Sequence, residues 1–301
     1  MTPWGKTSLG EDTPAAAAPE PAPRAAVPLR PAVLVTAVTS RGLVRTGNED
    51  RIGALGWLAP LEQPEPVTLA ALDTGQLVVA VADGLGGHAA GEVASRMAIS
   101  KLMEMAPGLD SAEAVRSALA RIHAELLEQG ASRPDWAGMA TTIAAVIVTR
   151  RSVLCAHAGD SRIYYVETGL LDQLTEDDAV HGVLEQCLGG QPGRPFDPHV
   201  REMRRDMTAR YLLCSDGLHG CVPRDSIRDL AAADSPVTAA AGLLSAAMRA
   251  GAPDNVSLCL VDVVPASAAA PPARGQPPAP AAPGQPPTPP AGGRPGEGAG
   301  R

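Results

Sequence analysis

Short apolar and β-branched runs, each closed by a turn signal, dominate the pattern along the chain. Seven runs predict β-strands: VLVTAVT from Val33, LVVAVA from Leu77, TIAAVIVT from Thr142, SVLCAHA from Ser152, RIYYV from Arg162, YLLCS from Tyr211 and VSLCLVDVV from Val256. The links at 150–151, 159–161 and 167–169 are too short for the crossovers that parallel strands need. We therefore expect an antiparallel meander from Thr142 to about Leu174.

Three other segments predict helices, at 91–105, 111–129 and 236–250. In the second, apolar side chains recur at helical spacing from Val115 to Leu126, with Asp110 and Glu113 as the predicted N-terminal cap and Gly130 as the stop. Antiparallel strands with helix pairs inserted between strand groups predict an α+β layered sandwich.

Composition limits the folded part of the chain. Of 301 residues, 45% are hydrophobic, which is ample for a buried core. Residues 1–31 and 265–301 are instead rich in Pro, Ala and Gly and have almost no large apolar side chains. Such segments cannot offset their ordering entropy by burial. We expect two disordered tails around one folded domain at 32–264.

The charge pattern excludes several classes of partner. The formal net charge is −8 and the arginines are scattered without a basic run, so neither nucleic acid nor an anionic membrane is an expected partner. The longest apolar runs, such as ATTIAAVIV, are far shorter than a membrane span of about 20 residues. The N-terminus also lacks the apolar core of a secretory signal. These features predict a soluble cytoplasmic protein.

The cysteines predict no redox or thiol chemistry. Five cysteines form no C-x-x-C pair, which indicates reduced, buried thiols. A cysteine phosphatase needs an arginine six positions after its nucleophile, and none of the five cysteines has one. The residues at that spacing are Ser161, Gly193, Gly220, Ile227 and Pro265.

The glycine-rich stretch LVVAVADGLGGHAAGE, residues 77–92, satisfies G-x-G-x-x-A between a predicted strand and a predicted helix. A dinucleotide site would also need a parallel βαβ unit and an acidic residue at the end of its second strand. Glu104 lies at about the right distance, but inside a predicted helix. The dinucleotide interpretation is therefore disfavoured.

Acidic residues at strand ends offer a different interpretation. Asp83 and Asp216 each follow an apolar strand and precede a glycine, Asp254 opens the last strand, and Glu49 and Asp50 lie in RTGNED. If these ends converge, each like-charge pair at about 4 Å costs roughly 4 kcal/mol at an effective dielectric constant near 20. A cation must then lie among them, and oxygen ligands favour Mg²⁺ or Mn²⁺ over zinc.

Six motifs in order carry a family resemblance: RTGNED, VADGLGGHAAGE, GMATT, GDSRIY, LLCSDGL and PDNVS. Together they resemble the metal-dependent Ser/Thr protein phosphatases, the PPM or protein phosphatase 2C family, in their bacterial form. The resemblance covers residues 35–261. It implies a four-layer αββα sandwich of two antiparallel sheets flanked by helix pairs.

The resemblance also implies roles for individual residues. Asp83, Asp216 and Asp254 would hold one metal ion, and Asp83 would bridge to a second ion that the Gly84 carbonyl also binds. Glu49 and Asp50 would bind waters coordinated to the metal ions, and Asp135 with Asp216 would bind a weaker third ion. Arg45 would bind the substrate phosphate. His88 would protonate the leaving group or position the substrate, and a purely structural role for it stays open.

The implied activity is hydrolysis of phosphoserine and phosphothreonine in proteins. A water that bridges two Mn²⁺ or Mg²⁺ ions would attack phosphorus directly, without a phosphoenzyme. The expected partners are phosphoproteins and the pathway of a Ser/Thr kinase in the same cell, with the phosphatase itself a monomer. The alternative is a catalytically silent relative that binds a phosphoprotein or a kinase. Catalytic nucleophile roles for Ser161 and for Asp83 are disfavoured.

The chain departs from the family pattern at three places. Asp178 occupies a position of LTEDDAV where relatives usually carry a histidine, and the flap that normally follows is nearly absent. Ala140 replaces a usual glycine in GMATT, and residues 55–76 resemble an insertion. These departures put substrate selection and the third ion in doubt, not the two-metal core.

Overall fold

The computed structural model describes residues 31–72, 75–85, 89–180, 183–206 and 208–265. In these residues the helices are α1 (Ala89–Glu104), α2 (Ala112–Ser132), α3 (Asp216–His219), α4 (Arg224–Ala231) and α5 (Pro236–Arg249). The strands are β1 (Pro31–Ser40), β2 (Arg51–Ala54), β3 (Trp57–Leu58), β4 (Gln63–Leu72), β5 (Leu77–Ala82), β6 (Gly84–Leu85), β7 (Ala140–Thr141), β8 (Ile143–Val148), β9 (Ser152–Ala158), β10 (Arg162–Glu167), β11 (Leu170–Gln173), β12 (Ala179–Val180), β13 (Val183–Leu184), β14 (Leu188–Gly189), β15 (His199–Arg204), β16 (Ala209–Cys214) and β17 (Val256–Pro265).

Two six-stranded sheets form the framework. The first has the strand order β11-β10-β16-β17-β1-β4, and the second has the order β15-β9-β8-β5-β2-β3. The paired strands of the described residues are antiparallel throughout. The parallel unit required for a dinucleotide site is thus missing from the described part of the chain.

Three buried clusters separate four layers. One cluster fills the space between the sheets, with Val35 and Val261 from the first sheet and Val79 and Val146 from the second. Another packs α1 and α2 on the outer face of the second sheet, and the third packs α4 and α5 on the first. The inner sheets are therefore covered on both faces, which explains why β8 and β9 are continuously buried apolar runs. The predicted αββα sandwich is confirmed.

The predicted helices and their faces are also confirmed, with boundaries shifted by a few residues. Val115, Leu119, Ile122 and Leu126 are buried on one face of α2. The N-terminal cap differs from the prediction, because the Ser111 hydroxyl, rather than Asp110 or Glu113, accepts a hydrogen bond from the backbone N–H of Ala114 at 3.3 Å. No helix of the described residues has both the length and the apolar character of a membrane span.

The expected meander from Thr142 to Leu174 is wrong at its middle link. β8 pairs with β9 and β10 pairs with β11, but β9 belongs to the second sheet and β10 to the first. The turn at 159–161 therefore carries the chain across the sandwich. Gly159 has φ +107°, a conformation that favours glycine, and a Cβ there would lie 2.7 Å from the Thr142 side chain.

The segment 55–76 is not a mere insertion. Its residues form β3 and β4, and β4 pairs with β1 along most of that strand's length. Residues 73–74 lie outside the described part of the chain, as do residues 1–30 and 266–301, whose disorder stays a prediction. Pro31 and Pro265, expected in the tails, instead pair with each other at the ends of β1 and β17.

Candidate metal centre

The acidic strand ends converge at one end of the sandwich. Asp83 follows β5, Asp216 begins α3 after β16, and Asp254 lies two residues before β17. Desolvation raises the pKa of Asp83 well above its ordinary value, and the charges of Asp50, Asp216 and Asp254 raise it further. The charges that act on Asp83 therefore come from Asp50, Asp216 and Asp254, which indicates that the four carboxylates lie at the same end of the sandwich.

Asp50 is the most deeply buried member of this group, with 1% of its surface exposed. Its Oδ2 accepts a hydrogen bond of 2.8 Å from the Ser215 hydroxyl. Burial raises the pKa of Asp50 to about 7, hydrogen bonds from Ser257 and Ser215 oppose the shift, and the charges of Asp216 and Asp254 add to it. Without a cation, Asp50 therefore keeps its proton to a higher pH than an ordinary aspartic acid does.

Asp83 is held by its backbone. Its N–H donates to the Thr142 hydroxyl at 2.9 Å, and its carbonyl accepts from the Thr141 hydroxyl at 2.8 Å and from the Thr142 N–H at 2.9 Å. The next residue, Gly84, has no room for a side chain, because a Cβ would lie 2.3 Å from the Gly91 carbonyl oxygen and 2.6 Å from that of Glu49. Glycine thus lets β6, α1 and the 41–50 loop meet at this point.

Asn255 ties the 41–50 loop to the start of β17. Its side-chain amide donates to the carbonyls of Arg41 and Gly47 at 3.0 and 2.9 Å, and its Oδ1 accepts from the Glu49 N–H at 2.8 Å. The Ser95 hydroxyl donates to the Glu49 carbonyl at 2.5 Å. The carboxylate of Glu49 packs against Gly91 of α1. The loop that carries Arg45 and Glu49 is therefore fixed on both sides.

Arg45 stands at the exposed edge of the acidic group. Its Nη2 lies 2.6 Å from Oδ2 of Asp254, and 54% of its side chain is exposed. The hydrogen bond and charge of Asp254 raise the pKa of Arg45, and Asp83 and Glu49 contribute. One guanidinium cannot balance this group of carboxylates.

The donor set fits hard divalent cations. Desolvation and the charge of Asp254 raise the pKa of Asp216, although a hydrogen bond with Asp83 and the charge of Arg45 oppose the shift. Asp50 Oδ1 and Asp216 Oδ1 are buried and have no hydrogen-bond partner among the described residues. Buried, unpartnered carboxylate oxygens that repel one another are suited to Mg²⁺ or Mn²⁺. Such ions would lower the pKa of all these groups.

Asp135 lies exposed in a 3-10 turn at 134–136, and its role at a third ion stays a prediction. Asp160 is a further carboxylate beside the clustered ones. Desolvation and the charge of Asp216 raise the pKa of Asp160 to about 6, and Asp160 in turn raises the pKa of Asp83. The turn at 159–161 crosses between the sheets, which brings its aspartate to the same end as Asp83.

The sequence context of Asp160 resembles that of Asp83, because both follow an apolar strand at a glycine-containing turn. The short link at 159–161 nevertheless predicts only a structural turn. Ser161 beside it is 1% exposed, and its hydroxyl is paired with that of Thr142 at 2.7 Å. That buried pairing explains a structural role for Ser161. His88 lies outside the described residues, so its role stays a prediction.

Comparisons with known proteins identify the family. The family model described as protein phosphatase 2C matches residues 67–252. The Ser/Thr protein phosphatase PstP of Mycobacterium tuberculosis is 31% identical over 246 residues, which are 75% of this chain and 44% of the relative. The Ser/Thr phosphatase stp of Listeria monocytogenes is 30% identical over 252 residues, 74% of this chain and 93% of the relative.

A solved structure gives the same result. The catalytic domain of PstP, in complex with two manganese ions, matches with a TM-score of 0.63 and 31% identity over 77% of this chain and 99% of that domain. The chain thus spans less than half the length of the full mycobacterial relative but nearly all of its catalytic domain. Acidic strand ends gathered between two antiparallel sheets, the family match and these relatives together show that the chain belongs to the protein phosphatase 2C family.

Proposed function

We propose that this protein hydrolyses phosphoserine and phosphothreonine in proteins with the help of two divalent ions, Mn²⁺ or Mg²⁺. The observation that carries the proposal is the group of Asp50, Asp83, Asp216 and Asp254, in which two buried carboxylate oxygens have no hydrogen-bond partner among the described residues and whose negative charges divalent ions would balance. Relatives named Ser/Thr phosphatases, one of them solved with two manganese ions, support the same activity.

The chain's own residues would divide the task. Asp83, Asp216 and Asp254 are the proposed direct ligands, together with the Gly84 carbonyl, while Glu49 and Asp50 orient bound waters. Such ions, once bound, lower the pKa of a coordinated water and offset the charge of the phosphoryl group. Asp135 remains the proposed ligand of a weaker third ion with Asp216, and Asp160, on which the charge of Asp216 acts, is a further candidate carboxylate.

Arg45 is the proposed phosphate-binding residue. Its exposed guanidinium is anchored by Asp254 through Nη2, and a planar fork has further N–H groups for phosphate oxygens. Asp254 would thereby connect phosphate binding to ion binding. His88 remains the proposed group for protonating or positioning the leaving oxygen.

The compartment and partners are proposals of the same kind. We infer a cytoplasmic enzyme that acts as a monomer and opposes a Ser/Thr kinase. Five free cysteines, three of them buried in strands, support a reducing compartment.

The direct test compares three forms of the protein on a phosphothreonine peptide with Mn²⁺. The wild type should turn over, and Asp216→Asn should lose roughly a thousandfold or more in rate while its circular dichroism stays unchanged, since several kcal/mol of charge stabilisation disappear. Asp225→Asn, at an exposed position of α4, is the matched control and should keep full activity. A wild type that binds the peptide but releases no phosphate would instead favour the catalytically silent alternative.

A further inference from the structure

A second group of metal-binding side chains lies outside the carboxylate centre. His157 is on β9, Asp178 precedes β12, and His199 begins β15. One donor atom from each of these residues lies within 4.8 Å of the other two. The group combines two imidazoles with one carboxylate, whereas the carboxylate centre offers only oxygen donors.

We propose that His157, Asp178 and His199 form a separate binding site for a late first-row divalent ion, of which Zn²⁺ is the representative. Two imidazoles and a carboxylate are a common donor set for such ions, and three protein ligands leave a position for water. Hard Mg²⁺ prefers oxygen ligands and would not compete well here. The two sites should therefore differ in metal preference.

The orientation of His157 agrees with a ligand role. The residue is 5% exposed, and its Nε2 lies 2.8 Å from the carbonyl oxygen of Glu176. A carbonyl only accepts, so Nε2 carries the proton and Nδ1 keeps its lone pair in the neutral ring. Metal-bound histidines typically donate their other ring N–H to a carbonyl or carboxylate in this manner. The tautomer is thus already set.

Asp178 is similarly held. Its Oδ2 accepts hydrogen bonds from the Gly159 N–H at 2.9 Å and from the Gln186 side chain at 3.1 Å. Its Oδ1 lies 2.9 Å from Nε2 of His199. One carboxylate oxygen is therefore fixed by the protein, and the other has, among the described residues, a hydrogen-bond partner in the same trio.

His199 is the adjustable ligand. Its side chain is 51% exposed and stacks on the His157 ring, with the ring centroids 4.7 Å apart. Both rings line a surface pocket of about 340 Å³, which has space for a ring rotation and for a water ligand. Arg116 and Arg201 also line the pocket, but Glu176 and Asp197 balance them in number.

The site is connected to the carboxylate centre through the backbone. The Asp178 N–H donates to the Gly159 carbonyl at 3.0 Å, and the Asp178 carboxylate accepts from the N–H of the same glycine. Gly159 immediately precedes Asp160. An ion on Asp178 would therefore hold in place the turn that carries Asp160, which is a stabilising role distinct from catalysis.

The test measures zinc retention by the full chain, free of any affinity tag, in excess Mg²⁺ that fills the carboxylate centre. After dialysis against a low, buffered concentration of free Zn²⁺, the wild type should retain one zinc ion per chain, and its thermal unfolding midpoint should rise with zinc concentration. His199→Gln, at a half-exposed position, should bind zinc roughly a hundredfold more weakly and lose the shift.

Asp197→Asn is the matched control, because it removes a negative charge from the same pocket but leaves all three donors. It should retain zinc like the wild type. Equal zinc retention by wild type and His199→Gln would overturn the proposal, since the ion would then lie elsewhere. Retention of no zinc by the wild type would also overturn it and would leave the trio as a His199–Asp178 ion pair.

Discussion

At the scale of single residues, the carboxylates of the centre are destabilising as long as no cation accompanies them. Burial and mutual repulsion raise the pKa of Asp50, Asp83, Asp160 and Asp216 together. Such groups are retained at functional sites because a ligand repays their unfavourable burial. These positions therefore favour ion binding at the cost of stability, and removal of the ions should lower the free energy of unfolding.

The raised pKa values predict that, in a chelator, the free energy of unfolding depends on pH in an unusual direction. The pKa of Asp50 is about 7 in the folded state and 3.8 ordinarily, so between these values the folded state binds more protons than the unfolded state. The free energy of unfolding should then fall as the pH rises through this window, and Asp160, with a pKa of about 6, acts in the same direction. One pKa unit corresponds to about 1.4 kcal/mol, so the change should reach a few kcal/mol.

Urea unfolding at about pH 5 and about pH 8 measures this change. In chelator the midpoint should be lower at the higher pH. Saturating Mn²⁺ should remove or reverse the difference, because the ion binds the deprotonated carboxylates. A midpoint in chelator that rises with pH would contradict the assigned shifts.

Arg45 allows a second test at this scale. Arg45→Lys keeps the charge beside Asp254 but loses the planar fork, so the KM for a phosphothreonine peptide should rise roughly tenfold. Mn²⁺ affinity should change little, because the ligands remain. Arg41→Lys, in the same loop, should leave KM unchanged. An equal rise in KM in both variants would contradict a specific phosphate-binding role for the Arg45 guanidinium.

At the scale of elements, the centre depends on how strand ends are joined. The β7–β8 junction holds the end of β5 through Thr142, whose hydroxyl accepts from the Asp83 N–H and pairs with Ser161 of the crossing turn. Three elements therefore share one buried hydroxyl. Its geometry sets the position of Asp83 relative to the 159–161 turn.

Thr142→Val should weaken the link between the end of β5, the β7–β8 junction and the 159–161 turn. The Asp83 N–H and the Ser161 hydroxyl would lose a buried partner, which costs about 1–3 kcal/mol of unfolding free energy. Mn²⁺ affinity should fall as well, because Asp83 loses a backbone restraint. Thr142→Ser retains the hydroxyl and should preserve most of the affinity. Isothermal titration with Mn²⁺ distinguishes the two variants, and equal affinities would contradict the proposed support.

At the scale of the whole molecule, the sandwich was predictable because its inner strands are continuous apolar runs and its helices have single buried faces. The edge strands were not. β15, HVREMR, is largely exposed and polar, and β4 begins QPEP, so neither shows a strand pattern in sequence. Their pairing comes from the neighbours β9 and β1 rather than from their own residues.

The acidic residues also divide into those whose positions the sequence could predict and one whose position it could not. The convergence of Asp83, Asp216 and Asp254 was predictable from strand ends and motif order. The position of Asp160 near Asp83 was not, because it depends on the short turn that takes the chain from one sheet to the other, and a short link is equally compatible with a hairpin. Residue spacing alone does not reveal such a crossing.

The most direct test of the central claim is a crystal structure of the protein grown with Mn²⁺ and recorded at the manganese absorption edge. We expect two anomalous peaks among Asp50, Asp83, Asp216 and Asp254, and Asp216→Asn should lose at least one of them. The absence of any peak among these four carboxylates at saturating Mn²⁺ would contradict the proposed metal centre.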